Sequence, residues 1–191
     1  MDVELEWRMG RTMSDRKRLE STFKKHRCTD FKWIDPREIV TGQWVRVKCI
    51  YGCEDYGQRA CCPPNVPSVS ECRQFFSEYA SGVIFHFAWA GDNLQERRQW
   101  GRKANRTLVS LERDVFLTGY QKAFMLLMST CSICKECTGT REDCRYPSSA
   151  RPTAEGMAID VYSTVRKCGF PIQVLTDYSQ TMNRYAFLLV E

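Results

Sequence analysis

Apolar residues along the chain recur in two rhythms. Between residues 92 and 118, Trp100, Ala104, Leu108, Leu111 and Val115 follow the spacing of one face of a long helix, and Gly119 supplies a stop. On either side lie GVIFHFAWA (82–90) and KAFMLLM (122–128), apolar almost throughout, which predict buried strands. Helical spacing also links Leu19 and Phe23, in a charged segment that Ser14 would cap and that reaches about Arg27. The same spacing links Val69, Cys72, Phe76 and Tyr79, behind a capping box formed by Ser68 and Glu71. Thr153 opens a further helix with Ala154, Met157, Ala158, Val161 and Val165 inward, stopped near Gly169. WVRVKC (44–49) alternates, with Val45 and Val47 on one side, and predicts a strand. FPIQVL (170–175) and RYAFLLV (184–190) predict closing strands, and residues 1–13 keep no consistent period and look peripheral.

Strands and helices alternating in this way predict an α/β or α+β fold, with a single mixed sheet, flanking helices and two cysteine-rich loops at strand ends. The 191 residues suit one cysteine-rich domain at 31–191 behind an N-terminal extension and helix at 1–30. Twice a strand leads into a cysteine loop, then Pro-containing sequence, then a helix, an echo that an internal duplication would leave.

Composition narrows the function classes. Apolar residues make up 43% and charged residues 27%, a globular balance, and no apolar run is long enough to span a membrane. The first residues lack the apolar stretch of a secretory leader, so a cytoplasmic protein is expected. A net charge of +5 without a basic tail gives no reason to expect nucleic acid. G-x-G-x-x-G, Walker, G-x-S-x-G and H-E-x-x-H motifs are all missing from the sequence, which leaves a nucleotide cofactor unsupported and no catalytic residue assigned.

Eleven cysteines change the picture. Clustered thiols in a cytosolic chain point to metal or redox chemistry, and an odd count weakens a disulfide reading. Cys131, Cys134, Cys137 and Cys144 form C-x2-C-x2-C-x6-C. Thiolates are soft ligands that suit zinc and iron–sulfur clusters. Structural zinc usually takes two separated C-x2-C knuckles. Three cysteines at steps of three instead start the bacterial ferredoxin pattern, in which a short loop wraps a [4Fe–4S] cubane. Here the fourth cysteine comes later than in ferredoxin, and Pro147 does not follow it at once, so one cluster with four local ligands is expected. Structural zinc is the alternative. Lys135, Arg141, Arg145 and Arg151 could offset cluster charge or simply be solvated, and backbone N–H groups near Gly139 could donate to sulfur.

The earlier loop offers Cys49, Cys53 and Cys62 as C-x3-C-x8-C, a three-thiolate site. Cys62 is preferred to its neighbour Cys61 because two prolines follow it and fix its backbone, but either could be the ligand. Three thiolates leave one position of a cluster, or of a zinc ion, open to a small-molecule substrate, to water or to a non-cysteine ligand. Alternatively these thiols supply a missing ligand to one shared site, or pack as small hydrophobes. Tyr51, Tyr56 and Arg59 lie near enough to line the site.

His86, within an apolar strand, reads as a core or sheet residue, and His26, ending a charged helix, as an exposed one. Arg97, Arg98, Arg102, Lys103 and Arg106 read as a solvated helix face, or as a docking face for an acidic redox partner or RNA. Glu155 and Asp160 could pair with arginines or reach the site.

Both cysteine loops, the Cys-Pro-Pro of the first and the Ala-Arg-Pro turn after the second occur in the order found in the predicted metal-binding family called domain of unknown function 2284, which the chain resembles from about Asp35 onward. The resemblance implies metal or iron–sulfur binding by Cys49, Cys53, Cys62, Cys131, Cys134, Cys137 and Cys144, and carries no reaction with it. The expectation is therefore a [4Fe–4S] protein with one or two clusters, passing electrons to a redox partner protein or serving a redox accessory role. A zinc-stabilised interaction module without redox activity is the rival.

Overall fold

The computed structural model describes residues 13–191, so the expectation for the first twelve residues lies outside it. Five helices and four strands follow in chain order: α1 (Met13–Lys25), β1 (Phe31–Ile34), α2 (Gln43–Gly52), α3 (Val69–Ser77), β2 (Gly82–Trp89), α4 (Leu94–Leu117), β3 (Phe124–Leu126), α5 (Val161–Lys167) and β4 (Met182–Leu189), with a 3-10 turn at Pro36–Glu38. The fold is α+β. Its single sheet has the order β1-β2-β4-β3 and is antiparallel throughout. β4 pairs along its whole length with β2, from Met182 opposite Trp89 to Leu189 opposite Gly82, and with β3 on its other side.

The near-continuous apolar runs arise because both faces of the sheet are covered. Successive side chains of a strand point to opposite faces. Val83, Phe85, Ala186 and Leu188 accordingly join Leu19 and Phe23 of α1 and Leu108, Leu111 and Val115 of α4 in one core. Ile84, Tyr185, Phe187 and Leu189 meet Cys72 and Phe76 of α3 and Val165 of α5 in the other. The capping box forms: Ser68 Oγ accepts from Glu71 N, and Glu71 accepts from Ser68 N at 2.8 Å. Gly119 ends α4 with φ +102°, a conformation open to glycine.

Four local expectations are corrected. Residues 44–49 lie within α2 rather than in a strand. Two alternating valines are a weak signal, and helical geometry buries Val45 while leaving Val47 exposed. It also puts Cys49 one turn beyond Val45 on the same face. Residues 170–175 form no strand. Pro171 has no N–H to donate, and β4 already has a neighbour on each side. Side chains hold the segment instead, through the hydroxyls of Tyr162 on Gln173 O (3.1 Å) and of Tyr185 on Pro171 O. The helix expected from Thr153 begins only at Val161. The residues before it spend their backbone groups on neighbours: Leu127 N donates to Pro152 O, Gly42 N to Ala158 O and Asp160 N to Val40 O. Asp160 then caps α5, accepting from Ser163 N at 2.9 Å. His26 is half-buried, its Nε2 2.8 Å from Asp114 Oδ2 on α4. His86 is a sheet residue as expected, held between Asp30 and Asn183 and stacked on Tyr185.

Phe23 is fully buried, edge-on to Phe31 and Phe85. Truncating it by Phe23→Ala is expected to lower the unfolding free energy by about 3–5 kcal/mol, read from urea titration of the full chain. A loss well under ~1 kcal/mol would show that α1 is not integral to the core.

Candidate metal centre

Strand β3 delivers the chain to the second cysteine loop, whereas the first follows helix α2, which carries Cys49 and has Cys53 as its C-cap, rather than the end of a strand. Past Leu127 the backbone is gripped by α4: Asn105, buried, donates from Nδ2 to Ser129 O (2.9 Å) and Ser129 Oγ (3.0 Å). Cys131 follows at once, and the stretch 131–144 contains no helix or strand. The far end of this loop is held by a buried ion pair. Arg151 Nε donates to both Glu112 oxygens at 3.0 and 2.8 Å, and its Nη2 to Oε1 at 2.5 Å. Glu112 Oε2 also accepts from Met125 N at 3.0 Å, which ties the pair to the sheet. Arg151 Nη1 holds Ser148 O and Ala150 O, each at 3.1 Å. Arg151 is thus committed to Glu112 and to the turn.

The structure brings Cys131, Cys134, Cys137 and Cys144 around one small hollow of about 20 Å³, and Cys61 of the earlier loop joins them. Ala60 N points at Cys137 Sγ, 3.4 Å away, so one of the amides aimed at sulfur comes from the first loop. Gly139 O accepts from Asn65 Nδ2 at 2.7 Å, and the same amide donates to Arg59 O at 3.2 Å, stitching the two loops together. The Cys61 thiol lies against Cys131 and is hydrogen-bonded to it. That contact, helped by the backbone N–H groups of Ile133 and Arg151, holds Cys131 below the ordinary thiol range and pushes Cys61 above it. Arg59 lines the same hollow, paired with Asp55 at 3.0 Å.

Cys62 faces the other way. With Cys49 and Cys53 it lines a separate hollow of about 230 Å³, together with Tyr56, Thr153 and Glu155. Burial, reinforced by Asp55, Cys53 and Cys49, pushes the Cys62 thiol up to about 12, and burial likewise raises Cys49. Tyr51 is 86% exposed and takes no part. Asp160 is occupied in capping α5, whereas Glu155 reaches the three-thiol hollow. Of the basic helix face, Arg98, Arg102, Lys103 and Arg106 are exposed and Arg97 is half-buried.

The remaining cysteines stand apart. Cys28 and Cys72 are buried in the two cores, and burial raises the Cys28 thiol to about 11. Cys168 ends α5. Among the described residues, no group of three or more His, Cys, Asp or Glu side chains is drawn together tightly enough to hold a single ion as it stands. The donor chemistry of the two hollows, five thiols at one and three thiols with Glu155 at the other, fits zinc or an iron–sulfur cluster.

The family described as predicted metal-binding protein, DUF2284, matches residues 32–190. The chain belongs to this family. Both thiol hollows fall within the matched span. No curated protein and no solved structure matches the chain. No helix among the described residues is long and apolar enough to cross a membrane.

Two partners of the site were legible only in part. Glu112 falls on the inner stripe of α4, one position past Leu111 and one turn before Val115, and an acid on a buried stripe signals a buried pair. Cys61 carried no sequence signal that would assign it to the second loop.

Glu112→Gln leaves the half-buried Arg151 guanidinium without a counter-charge. A loss of about 3–5 kcal/mol in unfolding free energy is expected in urea titration, and Ser110→Ala on the exposed face of the same helix should cost under ~0.5 kcal/mol.

Proposed function

We propose that this member of the metal-binding family is an iron–sulfur protein with two unlike sites. Cys131, Cys134, Cys137 and Cys144 would hold one [4Fe–4S] cluster, and Cys49, Cys53 and Cys62 a second with one position free of cysteine. Such clusters, when bound, accept and release single electrons at potentials set by their surroundings. The chain's own residues tune that setting. Ala60 N–H points at Cys137, Cys61 donates to Cys131, and Arg59 places positive charge beside the four-thiol group. Glu155 at the three-thiol group is placed to move a proton or to complete the ligand set.

The observation that carries this reading is the sorting of Cys61 and Cys62, consecutive residues, onto opposite hollows. A peptide link of one residue joins the two sites, and Thr130 and Cys131 join them a second time. Structural zinc closes four ligands around one ion and gives no reason for a second, three-thiol group beside it. The function proposed is electron transfer with a protein partner in the cytoplasm, a reducing setting that eleven unpaired cysteines support. The exposed Arg98, Arg102, Lys103 and Arg106 suit an acidic partner surface. One observation favours a second reading, a zinc-bound interaction module: the four-thiol hollow, at about 20 Å³, is small.

Anaerobically purified full chain is expected to be brown and to carry about eight irons, two clusters' worth. Cys134→Ala should remove about half of that iron and Cys49→Ala about half, because each strips one site of a ligand. Colourless protein with stoichiometric zinc overturns the iron–sulfur reading in favour of the zinc module. Unchanged iron in Cys134→Ala removes the 131–144 loop from the site.

A further inference from the structure

The three-thiol group has an outer side. Cys49 and Cys53 also line a cleft of about 670 Å³, whose wall carries Trp44, Ile172 and Val174 as its apolar part and Lys48, Arg97 and Arg184 as its cations. The apolar residues are accessible: Trp44 is 49% and Val174 72% exposed.

The two arginines are the unusual feature. Arg97 comes from α4 and Arg184 from β4, both are half-buried, and they border the same cleft. Among the described residues neither has an ion pair. Arg97 lies 5.8 Å from the Tyr178 ring centroid, and Arg184 Nε is 3.1 Å from Met182 Sδ, a weak acceptor. Burial, and then the like charge of Arg184, hold Arg97 below the ordinary guanidinium range. Lys48 rests over Trp44 at 5.3 Å. Of the acids on the wall, Asp160 is spent on capping α5, and Glu155 reaches toward the thiols. Two partly desolvated guanidiniums side by side cost stability unless an anion joins them, and a guanidinium's planar fork matches a carboxylate or phosphate.

We propose that this cleft binds a small organic oxyanion, a carboxylate or a phosphate ester, held between Arg97 and Arg184 with its hydrocarbon part along Trp44, Ile172 and Val174. The bound molecule then extends toward Cys49 and Cys53. This last point rests on the reading of the three-thiol group as a metal site, whereas the anion site itself does not.

The test is titration calorimetry on anaerobically purified full chain with phenyl phosphate, benzoate and the neutral benzyl alcohol, with tryptophan fluorescence followed in parallel. One of the two anions is expected to bind with one-to-one stoichiometry and to change the fluorescence, and the alcohol to bind at least tenfold more weakly. Stronger binding of phenyl phosphate assigns a phosphate ester, and stronger binding of benzoate a carboxylate. Arg97→Gln and Arg184→Gln should each weaken binding about tenfold or more, while Arg113→Gln, exposed on the same helix, leaves it unchanged. Thermal melts confirm that each variant is folded. Absence of binding by both anions, or undiminished binding in folded Arg97→Gln and Arg184→Gln, overturns the proposal. Iron and zinc are counted in the same samples. Normal metal without anion binding sinks the cleft alone, and anion binding by metal-free protein sinks the metal reading alone.

Discussion

The second cysteine loop depends on one buried ion pair. Glu112 sits inside the apolar stripe of α4, where a lone carboxylate would be prohibitive, and Arg151 lies at the end of a long irregular loop. Joined, they satisfy each other. Glu112 also takes an amide of β3, and Arg151 takes the carbonyls of Ser148 and Ala150. Helix, strand and loop end therefore meet at one charged contact, and the Arg151 backbone amide reaches Cys131 from the same place. Such pairs seldom add much net stability relative to an apolar replacement, but half of one is ruinous. Their value here lies in fixing where the loop ends.

The larger elements could be read from the sequence because they bury continuous surface. The stripe of α4, the runs of β2 and β4 and the capping box of α3 each repeat one physical rule over enough residues to outvote local accidents. The misreadings share the opposite character. Two valines were too few to distinguish strand from helix at residues 44–49. At 153–160 the spacing was helical and the buried residues were indeed Ala154, Met157 and Ala158, but backbone bonds to residues 40, 42 and 127 took precedence. At 170–175 Phe170 joins the core while Val174 stays exposed, and β4, the strand that follows, already has a neighbour on each side.

The thiol groups show the same division. That cysteines cluster near 49–62 and 131–144 is legible from spacing alone. How eight of them divide is not, since the side to which a residue points depends on backbone turns that spacing does not encode. Cys61 and Cys62 each line their own hollow, five thiols on one side and three on the other. Arg97 and Arg184 lie more than eighty residues apart in sequence, and only the sheet brings them to one cleft.

The position of β4 has a consequence for folding. It is the last of the described strands, yet it lies between β2 and β3 and supplies the pairing of both. A polypeptide lacking residues 182–189 leaves β2 paired only with β1, and β3 with no partner among the described strands. The sheet therefore cannot close until residues 182–189 are in place, and until then the strand that leads into the second cysteine loop has no other described strand to pair with.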